Sequence, residues 1–227
     1  MKKSVLLVGP ILTRSGYGEQ ARFALRALRS REDLFDVYIK PITWGQTSWI
    51  INPESNDGLI RKIMERSKKS NVKPDVTFQV QLPDEWDPNL GKKNIGVSAV
   101  VETSRCNPKW IDCCNKMDHV IVPSEFSKKC LINSGLKSKR ATVIPESFMD
   151  TCFDEPEELS VNFQTNRNFL MLGQMSGDWE TDRKNTAQTI ALFCDVFKNR
   201  PDVGLIVKTN SGRNSTVDRS KSKKMLN

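Results

Sequence analysis

The fold class is decided by three apolar segments, Asn94-Ile-Gly-Val-Ser-Ala-Val-Val101, His119-Val-Ile-Val122 and Ala141-Thr-Val-Ile144. Each is followed at once by polar residues, in turn Glu102-Thr-Ser-Arg105, Pro123-Ser-Glu-Phe-Ser127 and Pro145-Glu-Ser147. Helix-like stretches separate the three. In open parallel sheets, ligands bind beyond the carboxyl ends of the strands. The sequence therefore predicts an α/β protein whose polar segments meet at one ligand-binding crevice.

The same alternation of strands and helices extends in both directions from this stretch. The further predicted strands are Ser4–Val8, Phe35–Ile39, Asp75–Gln81, Asn168–Leu172 and Val203–Lys208, and the predicted helices include Glu19–Ser30, Leu59–Ser67 and Lys184–Lys198. This order is typical of a Rossmann-like, doubly wound parallel sheet.

An acidic, proline-containing segment, Asp154-Glu-Pro-Glu-Glu158, interrupts the pattern. We predict one Rossmann-like domain over residues 1–154, a linker over 155–167, and the first βαβ of an incomplete second domain over 168–227. The second part is shorter than the ~100–150 residues of a typical domain. The chain is therefore expected to be a fragment or to carry a vestigial second half.

Composition and charge narrow the class of protein. Apolar residues make up 37% and charged residues 27% of the 227, which is ordinary for a soluble globular protein. No apolar run reaches the ~18 residues of a membrane span, and Met1–Pro10 lacks the features of a signal peptide. We expect a cytoplasmic protein without a transmembrane segment. Such a protein can still contact a membrane peripherally.

The net charge of +8 does not predict a nucleic-acid partner. Half of it falls in the last sixteen residues, a predicted polar tail that contains five basic residues and one acidic residue, Asp218. No aromatic residue is interleaved with that cluster, as stacking on bases would require.

The six cysteines lack C-x-x-C spacing, so we expect small buried hydrophobic side chains and no metal site.

Several motifs occur in a characteristic order. They are Val8-Gly-Pro10 before a glycine-containing loop, Met117-Asp-His-Val-Ile-Val-Pro-Ser-Glu-Phe-Ser127, Val143-Ile-Pro145 and Phe169-Leu-Met-Leu-Gly173, with Glu102-Thr-Ser-Arg105 and Asp182-Arg-Lys-Asn185 between and after them. The array resembles the family-4-type glycosyltransferases of the two-domain GT-B fold. The resemblance implies a nucleotide-sugar donor and an acceptor that is a glycan, a lipid or a protein.

Two features depart from that family. Many relatives carry a histidine where this chain has Glu102, and the paired glutamates that hold the donor would lie beyond Asn227. Glu102 is therefore the candidate catalytic carboxylate, which could position a sugar hydroxyl or act as a base. The resemblance implies retaining transfer without a cofactor or metal, and an inactive chain if this is a fragment.

The segment Gly16-Tyr-Gly-Glu-Gln-Ala21 fits G-x-G-x-x-A ahead of a predicted helix, where backbone N–H groups can hold a phosphate. A dinucleotide site would need the first glycine directly behind the strand and an acidic residue after the next strand. Here Asp36 starts that strand. The resemblance instead implies that Gly16, Tyr17 and Gly18 line a cleft near acceptor and donor phosphate, and a role in the turn alone is the alternative.

The predicted donor-binding residues are Gly173, Gln174, Arg183, Lys184 and Lys208. Arg183 and Lys184 open a predicted helix, so their charges and the helix N-terminus would suit a diphosphate. The alternative is a pair of solvated charges that balance neighbouring acidic residues.

Arg105, Ser124 and Glu125 follow strands at the predicted cleft. Ser124 could equally be the N-cap of the next helix. The only histidine, His119, heads a strand, so it is expected to serve packing or to lie at the surface, and no Ser-His-Asp constellation is predicted.

The leading hypothesis is a hexosyltransferase-type glycosyltransferase. A non-catalytic module that binds a sugar, an anion or a partner is the first alternative, and a dinucleotide-dependent oxidoreductase is the second. The donor sugar, its nucleotide and the acceptor stay open.

Overall fold

A computed structural model describes residues 2–67, 73–156, 161–173, 182, 184–209 and 215–226. They divide into two compact units, residues 1–152 and residues 153–227. Each unit is built on its own parallel strands.

The first unit contains a six-stranded parallel sheet of order β2-β1-β3-β4-β5-β6. The strands are β1 (Lys3–Gly9), β2 (Phe35–Pro41), β3 (Val76–Val80), β4 (Lys93–Val97), β5 (His119–Val122) and β6 (Ala141–Val143). This architecture confirms the prediction of a Rossmann-like, doubly wound sheet. The predicted strand Asn94–Val101 is too long, because β4 ends at Val97.

Four helices join the strands of this sheet. They are α1 (Gly16–Arg29), α2 (Leu59–Arg66), α3 (Pro108–Lys116) and α4 (Glu125–Asn133). Two apolar clusters cover its two faces. Within β5, Val120 and Val122 belong to the cluster with α3 and α4, whereas Ile121 packs on the cluster with α1 and α2. This alternation follows from the two-residue period of a strand.

The second unit begins with a parallel βαβ arrangement. It contains β7 (Arg167–Gly173), α5 (Thr186–Phe197), β8 (Val203–Thr209) and α6 (Thr216–Leu226), with β7 paired to β8. Phe169 contacts Phe193 and Phe197, whose ring centroids lie 5.6 and 5.7 Å from its own. These contacts pack α5 against β7.

The predicted polar tail at the end of the chain is helical over residues 216–226, which form α6. Ser215 and Asp218 cap its start reciprocally. The Asp218 N–H donates to Ser215 Oγ at 3.2 Å, and the Ser215 N–H donates to Asp218 Oδ2 at 3.1 Å. This capping box satisfies two backbone donors that would otherwise lack a partner.

The six cysteines are free, but they are not uniformly buried as predicted. Cys114 and Cys130 are buried, and burial raises the pKa of the Cys114 thiol to about 12. Cys152 and Cys194 are exposed. In α5 the Phe193 and Phe197 rings contact Phe169 of β7. Within the described ranges, no group of three or more His, Cys, Asp or Glu residues could hold a metal ion.

No helix in the described parts of the chain is both long enough and apolar enough to cross a lipid bilayer.

Hydrogen bonds from a buried arginine side chain hold the connection from β1 to α1 in place. The buried Arg22 guanidinium donates through Nη1 to the carbonyl oxygens of Ile11 and Thr13, at 2.7 and 3.0 Å. Ser15 is the N-cap of α1, and its Oγ accepts from the Gly18 N–H at 2.9 Å. The helix therefore begins at Gly16, three residues before the predicted Glu19.

This start of α1 corrects the predicted position of Gly16, Tyr17 and Gly18, which were placed in a loop ahead of the helix. The three residues form the first turn of the helix. A Cβ atom on Gly18 would lie 2.3 Å from the carbonyl oxygen of Thr13 and 2.9 Å from that of Pro10. A Cβ atom on Gly16 would meet nothing within 4 Å. Gly18 thus serves helix packing, and only Gly16 leaves open space.

We expect Gly18→Val to lower the free energy of unfolding by about 1–3 kcal/mol, as overpacking typically does. Gly16→Ala is the matched control and should change it by less than about 0.5 kcal/mol, because the added methyl group enters open space. Urea unfolding of the two variants and the parent measures the difference. Equal stability of both variants would contradict the packing role of Gly18.

Candidate functional site

The sheet has a topological switch point between β1 and β3. From β1 the chain goes to β2 on one side, and it then crosses to β3 on the other side. The two central strands end at Gly9 and Val80. Ligands of doubly wound sheets bind in the crevice beyond such strand ends. The residues that follow β1, β3 and β4 therefore form the candidate site.

Tyr17, in the first turn of α1, contacts the residues that follow β4. Its hydroxyl is 2.9 Å from Ser98 Oγ and accepts the Ala99 N–H at 3.1 Å. Its ring stacks on Trp44, with 4.2 Å between the centroids. Burial raises the pKa of Tyr17, and the negative charges of Glu85 and Glu146 raise it further, so the phenol stays protonated at neutral pH. Tyr17 thereby joins α1 to the residues that follow β4.

The segment after β4 contains a strained residue. Val100 has φ of 65°, in the left-handed region that a β-branched side chain rarely adopts. The Val100 N–H donates to Ser98 Oγ at 3.2 Å, and Ser127 Oγ donates to the Ala99 carbonyl at 3.3 Å. These bonds turn the chain away from the sheet, which explains why β4 ends before the predicted Val101. Strain of this kind costs about 1–3 kcal/mol and concentrates at functional sites.

The strained segment forms one wall of a cavity of about 440 Å³. The lining residues are Ala99, Val100, Val101, Glu102, Ser124, Phe126 and Ser127. The structure therefore brings together Glu102 and Ser124, two of the predicted site residues. Arg105 and Glu125 are exposed and do not line this cavity.

The N-cap role that the sequence left open for Ser124 is confirmed. It is the N-cap of α4, since its Oγ accepts from the Ser127 N–H at 3.1 Å, and it lines the cavity. Phe126 and Ser127 also line the cavity but were not predicted as site residues. The sequence carried no signal for Phe126, because its i,i+4 spacing to Cys130 is that of a buried stripe, and only the structure shows that it is exposed.

Two residues considered in the sequence lie at the amino-terminal edge of the sheet, away from the crevice. Asp36 pairs in register with Ser4 near the start of β2, whereas the carboxyl ends pair Gly9 with Pro41. The dinucleotide alternative therefore lacks its ribose-binding carboxylate. His119 heads β5, and its Nε2 lies 2.7 Å from Thr142 Oγ1. This contact agrees with the predicted packing role.

In the second unit, Gly173 and Lys208 lie at the carboxyl end of the parallel pair β7–β8. Gly173 pairs with Thr209, and Lys208 is exposed beside it. A Cβ atom on Gly173 would lie 2.9 Å from Thr186 Oγ1, so this glycine allows α5 to pack closely on β7. Gln174 and Arg183 lie outside the described residues.

The start of α5 corrects one prediction about Lys184. The helix begins at Thr186, so Lys184 precedes it. Asp182 Oδ2 accepts from the N–H groups of Thr186 and Ala187, at 2.6 and 3.2 Å, and Oδ1 accepts from that of Lys184 at 3.2 Å. The Asp182 carboxylate thus occupies the helix N-terminus that was predicted to hold a phosphate. The N–H groups of Lys184, Thr186 and Ala187 are therefore already used by Asp182.

No family model and no curated protein matches the chain. Among solved structures, it is similar to the lipopolysaccharide outer core galactosyltransferase WaaB in its apo form. The TM-score is 0.50 at 11% identity, over 100% of this chain and 65% of that one. A UDP-GlcNAc 2-epimerase from Methanocaldococcus jannaschii aligns with a TM-score of 0.46 at 14% identity, over 100% of this chain and 69% of that one.

A further similar structure is that of Alr3699/HepE from Anabaena, solved in complex with UDP and glucose. Its TM-score is 0.50 at 13% identity, over 99% of this chain and 65% of that one. The chain thus spans about two thirds of the length of these two proteins. At such low identity the likeness concerns the fold alone, and this chain has the GT-B type of fold that WaaB and HepE share.

Proposed function

We propose that this chain is part of a family-4-type retaining glycosyltransferase, which moves a hexose from a nucleotide-sugar donor to an acceptor. The observation that carries the proposal is the strained loop after β4, which presents Glu102 at a cavity beyond the carboxyl ends of β4 and β5 in a GT-B type fold. HepE, which shares that fold, was solved with UDP and glucose.

In this proposal the first unit binds the acceptor. The Glu102 carboxylate accepts a hydrogen bond from an acceptor hydroxyl and orients it for attack. The Tyr17 hydroxyl, bonded to Ser98 and Ala99, fixes the backbone three residues before Glu102. Holding the reacting groups in position is the main contribution that such a site makes to the rate.

The second unit binds the donor through its phosphates. Lys208 and Lys184 supply positive charge as compact ammonium groups, and no metal or cofactor is needed to neutralise the diphosphate. Because Asp182 already uses the N–H groups of the first turn of α5, the lysine side chains carry this contact. Gly173 keeps α5 close to the strand ends where the phosphates would lie.

Phosphorus-31 NMR of UDP with the 227-residue chain tests the donor contact at low ionic strength, where salt screens little. Both phosphate signals should broaden on addition of the parent protein. Lys208→Ala and Lys184→Ala should each weaken the affinity about tenfold, since a hydrogen bond to a charged group is worth roughly 1.5–3 kcal/mol.

Lys198→Ala is the matched control. Lys198 is an exposed lysine of the same unit, and it is paired with Asp195 at 3.1 Å. Its removal should leave the broadening unchanged. Absence of broadening with the parent, or equal losses for all three lysine variants, would reject the proposed donor site.

We expect Tyr17→Phe to destabilise the first unit by about 0.5–1.5 kcal/mol, the usual net value of a hydrogen bond. Ser98→Ala and the double variant complete a cycle that should show coupling of similar size, because the two hydroxyls lie 2.9 Å apart. Additive losses in urea unfolding at pH 7 would contradict a direct Tyr17–Ser98 bond.

The stabilisation by Tyr17 should also depend on pH. Because the pKa of Tyr17 is raised above 10.0 in the folded state, its contribution is fully present below pH 10 and is lost as pH rises through the folded-state pKa. The stability advantage of the parent over Tyr17→Phe should therefore shrink above pH 10. An advantage that stays constant from pH 8 to pH 11 would argue against a buried, protonated phenol.

A further inference from the structure

Two cysteines from different elements of the first unit meet in space. Cys106 lies in the segment that joins β4 to α3, and Cys130 lies in α4. Their side chains are hydrogen-bonded to each other. Because the sulfur atoms of a disulfide are about 2 Å apart, a bond between these two requires only that an existing contact shortens.

One hydroxyl fixes the backbone on both sides of this cysteine pair. The Cys106 N–H donates to Ser134 Oγ at 3.0 Å, and Ser134 Oγ donates to the Cys130 carbonyl oxygen at 2.8 Å. Ser134 is also the C-cap residue of α4. The end of α4 therefore holds the segment before α3 in place, and the backbone keeps the two thiols together.

The two thiols differ in their access to solvent. Cys130 is 1% exposed, whereas Cys106 is half-buried. Burial raises the pKa of the Cys130 thiol, and the neighbouring Cys106 raises that pKa further. An oxidant from solution therefore reaches Cys106 first, and Cys130 is positioned to react with the oxidised product.

The other four cysteines have different surroundings. Cys114 belongs to the apolar core, where burial raises the pKa of its thiol to about 12. Cys113 is half-buried on α3, and Cys152 and Cys194 are exposed. Cys113 therefore resembles Cys106 in exposure and serves below as its matched control.

We propose that Cys106 and Cys130 form a reversible disulfide when the protein meets hydrogen peroxide. The Cys106 thiolate attacks one peroxide oxygen, the O–O bond breaks, and Cys106 becomes a sulfenic acid as one water leaves. The Cys130 sulfur gives up its proton and attacks the Cys106 sulfur, and the S–O bond breaks to release a second water. Two thiols are thereby oxidised to one disulfide, and one peroxide is reduced to two waters.

The disulfide would tie together the two walls of the cavity of about 440 Å³. Cys106 follows closely on residues 99–102, which form one wall, and Cys130 lies in the helix whose first turn forms the other. The strained loop after β4 would then be linked covalently to α4. Oxidation of the pair does not depend on the function proposed above, because neither sulfur contributes to donor or acceptor binding there.

Thiol titration of the 227-residue chain tests the pair. Cys152→Ser and Cys194→Ser first remove the exposed thiols, which could otherwise join two molecules, and leave four cysteines. Treatment with a small excess of hydrogen peroxide should remove two of the four thiols that titrate in denaturant, and dithiothreitol should restore both. Mass spectrometry of non-reduced peptides should identify a crosslink between Cys106 and Cys130.

Trypsin measures whether the disulfide restrains the loop. Cleavage after the exposed Arg105 requires local opening of the segment before α3, so oxidation should slow it several-fold. Cleavage after Arg31, which is exposed before β2, should keep its rate.

Cys113→Ala, in the same background, should form the same crosslink as the parent, whereas Cys106→Ala should keep all its thiols and its rate of cleavage after Arg105. Circular dichroism confirms that each variant is folded. Cys106→Ala decides the result even where replacement of the buried Cys130 prevents folding. Four thiols that survive peroxide, a crosslink from Cys106 to Cys113 or Cys114, or a sulfinic acid at Cys106 without a crosslink would overturn the proposal.

Discussion

The organisation of the first unit depends on the hydroxyl of Tyr17. This one group bonds to Ser98 Oγ and accepts the Ala99 N–H, so the first turn of α1 and the end of β4 are fixed to each other across the switch point. The strained φ of Val100 persists only because such contacts over-determine it. The position of Glu102, two residues further on, follows from this restraint.

Glycines in both units show how tightly a parallel sheet requires its helices to pack. Gly18 faces the backbone of the β1–α1 connection, and Gly173 faces Thr186 at the start of α5. A side chain at either position would collide with a neighbour, so these glycines are explained without a ligand. Gly16 differs, because open space surrounds the position of its missing Cβ atom. A glycine motif in a sequence therefore combines residues with unrelated physical roles.

The strands could be predicted from the sequence because their apolar runs are short and are bounded by polar or proline residues; β5 occupies the predicted segment from His119 to Val122. The shape of the site could not be predicted from the sequence. The contact from Tyr17 to Ala99 spans 82 residues, and Val100 sits in an apolar run that locally resembles a strand. The sequence shows an acidic residue, Asp182, shortly before an apolar helix. Only the hydrogen bonds of the structure show that Asp182 uses the N–H groups of α5 that a phosphate would need.

The charges of the two units suit ligands of different chemistry. In the first unit, Glu102 lines the cavity, and the negative charges of Glu85 and Glu146 act on Tyr17. Carboxylates disfavour a phosphate but accept hydrogen bonds from a neutral, hydroxyl-rich molecule. In the second unit, the exposed Lys184 and Lys208 favour an anion, although Asp182 reduces the positive field at the start of α5. This difference is what supports assigning, in the function proposed above, the acceptor to the first unit and the donor diphosphate to the lysines of the second.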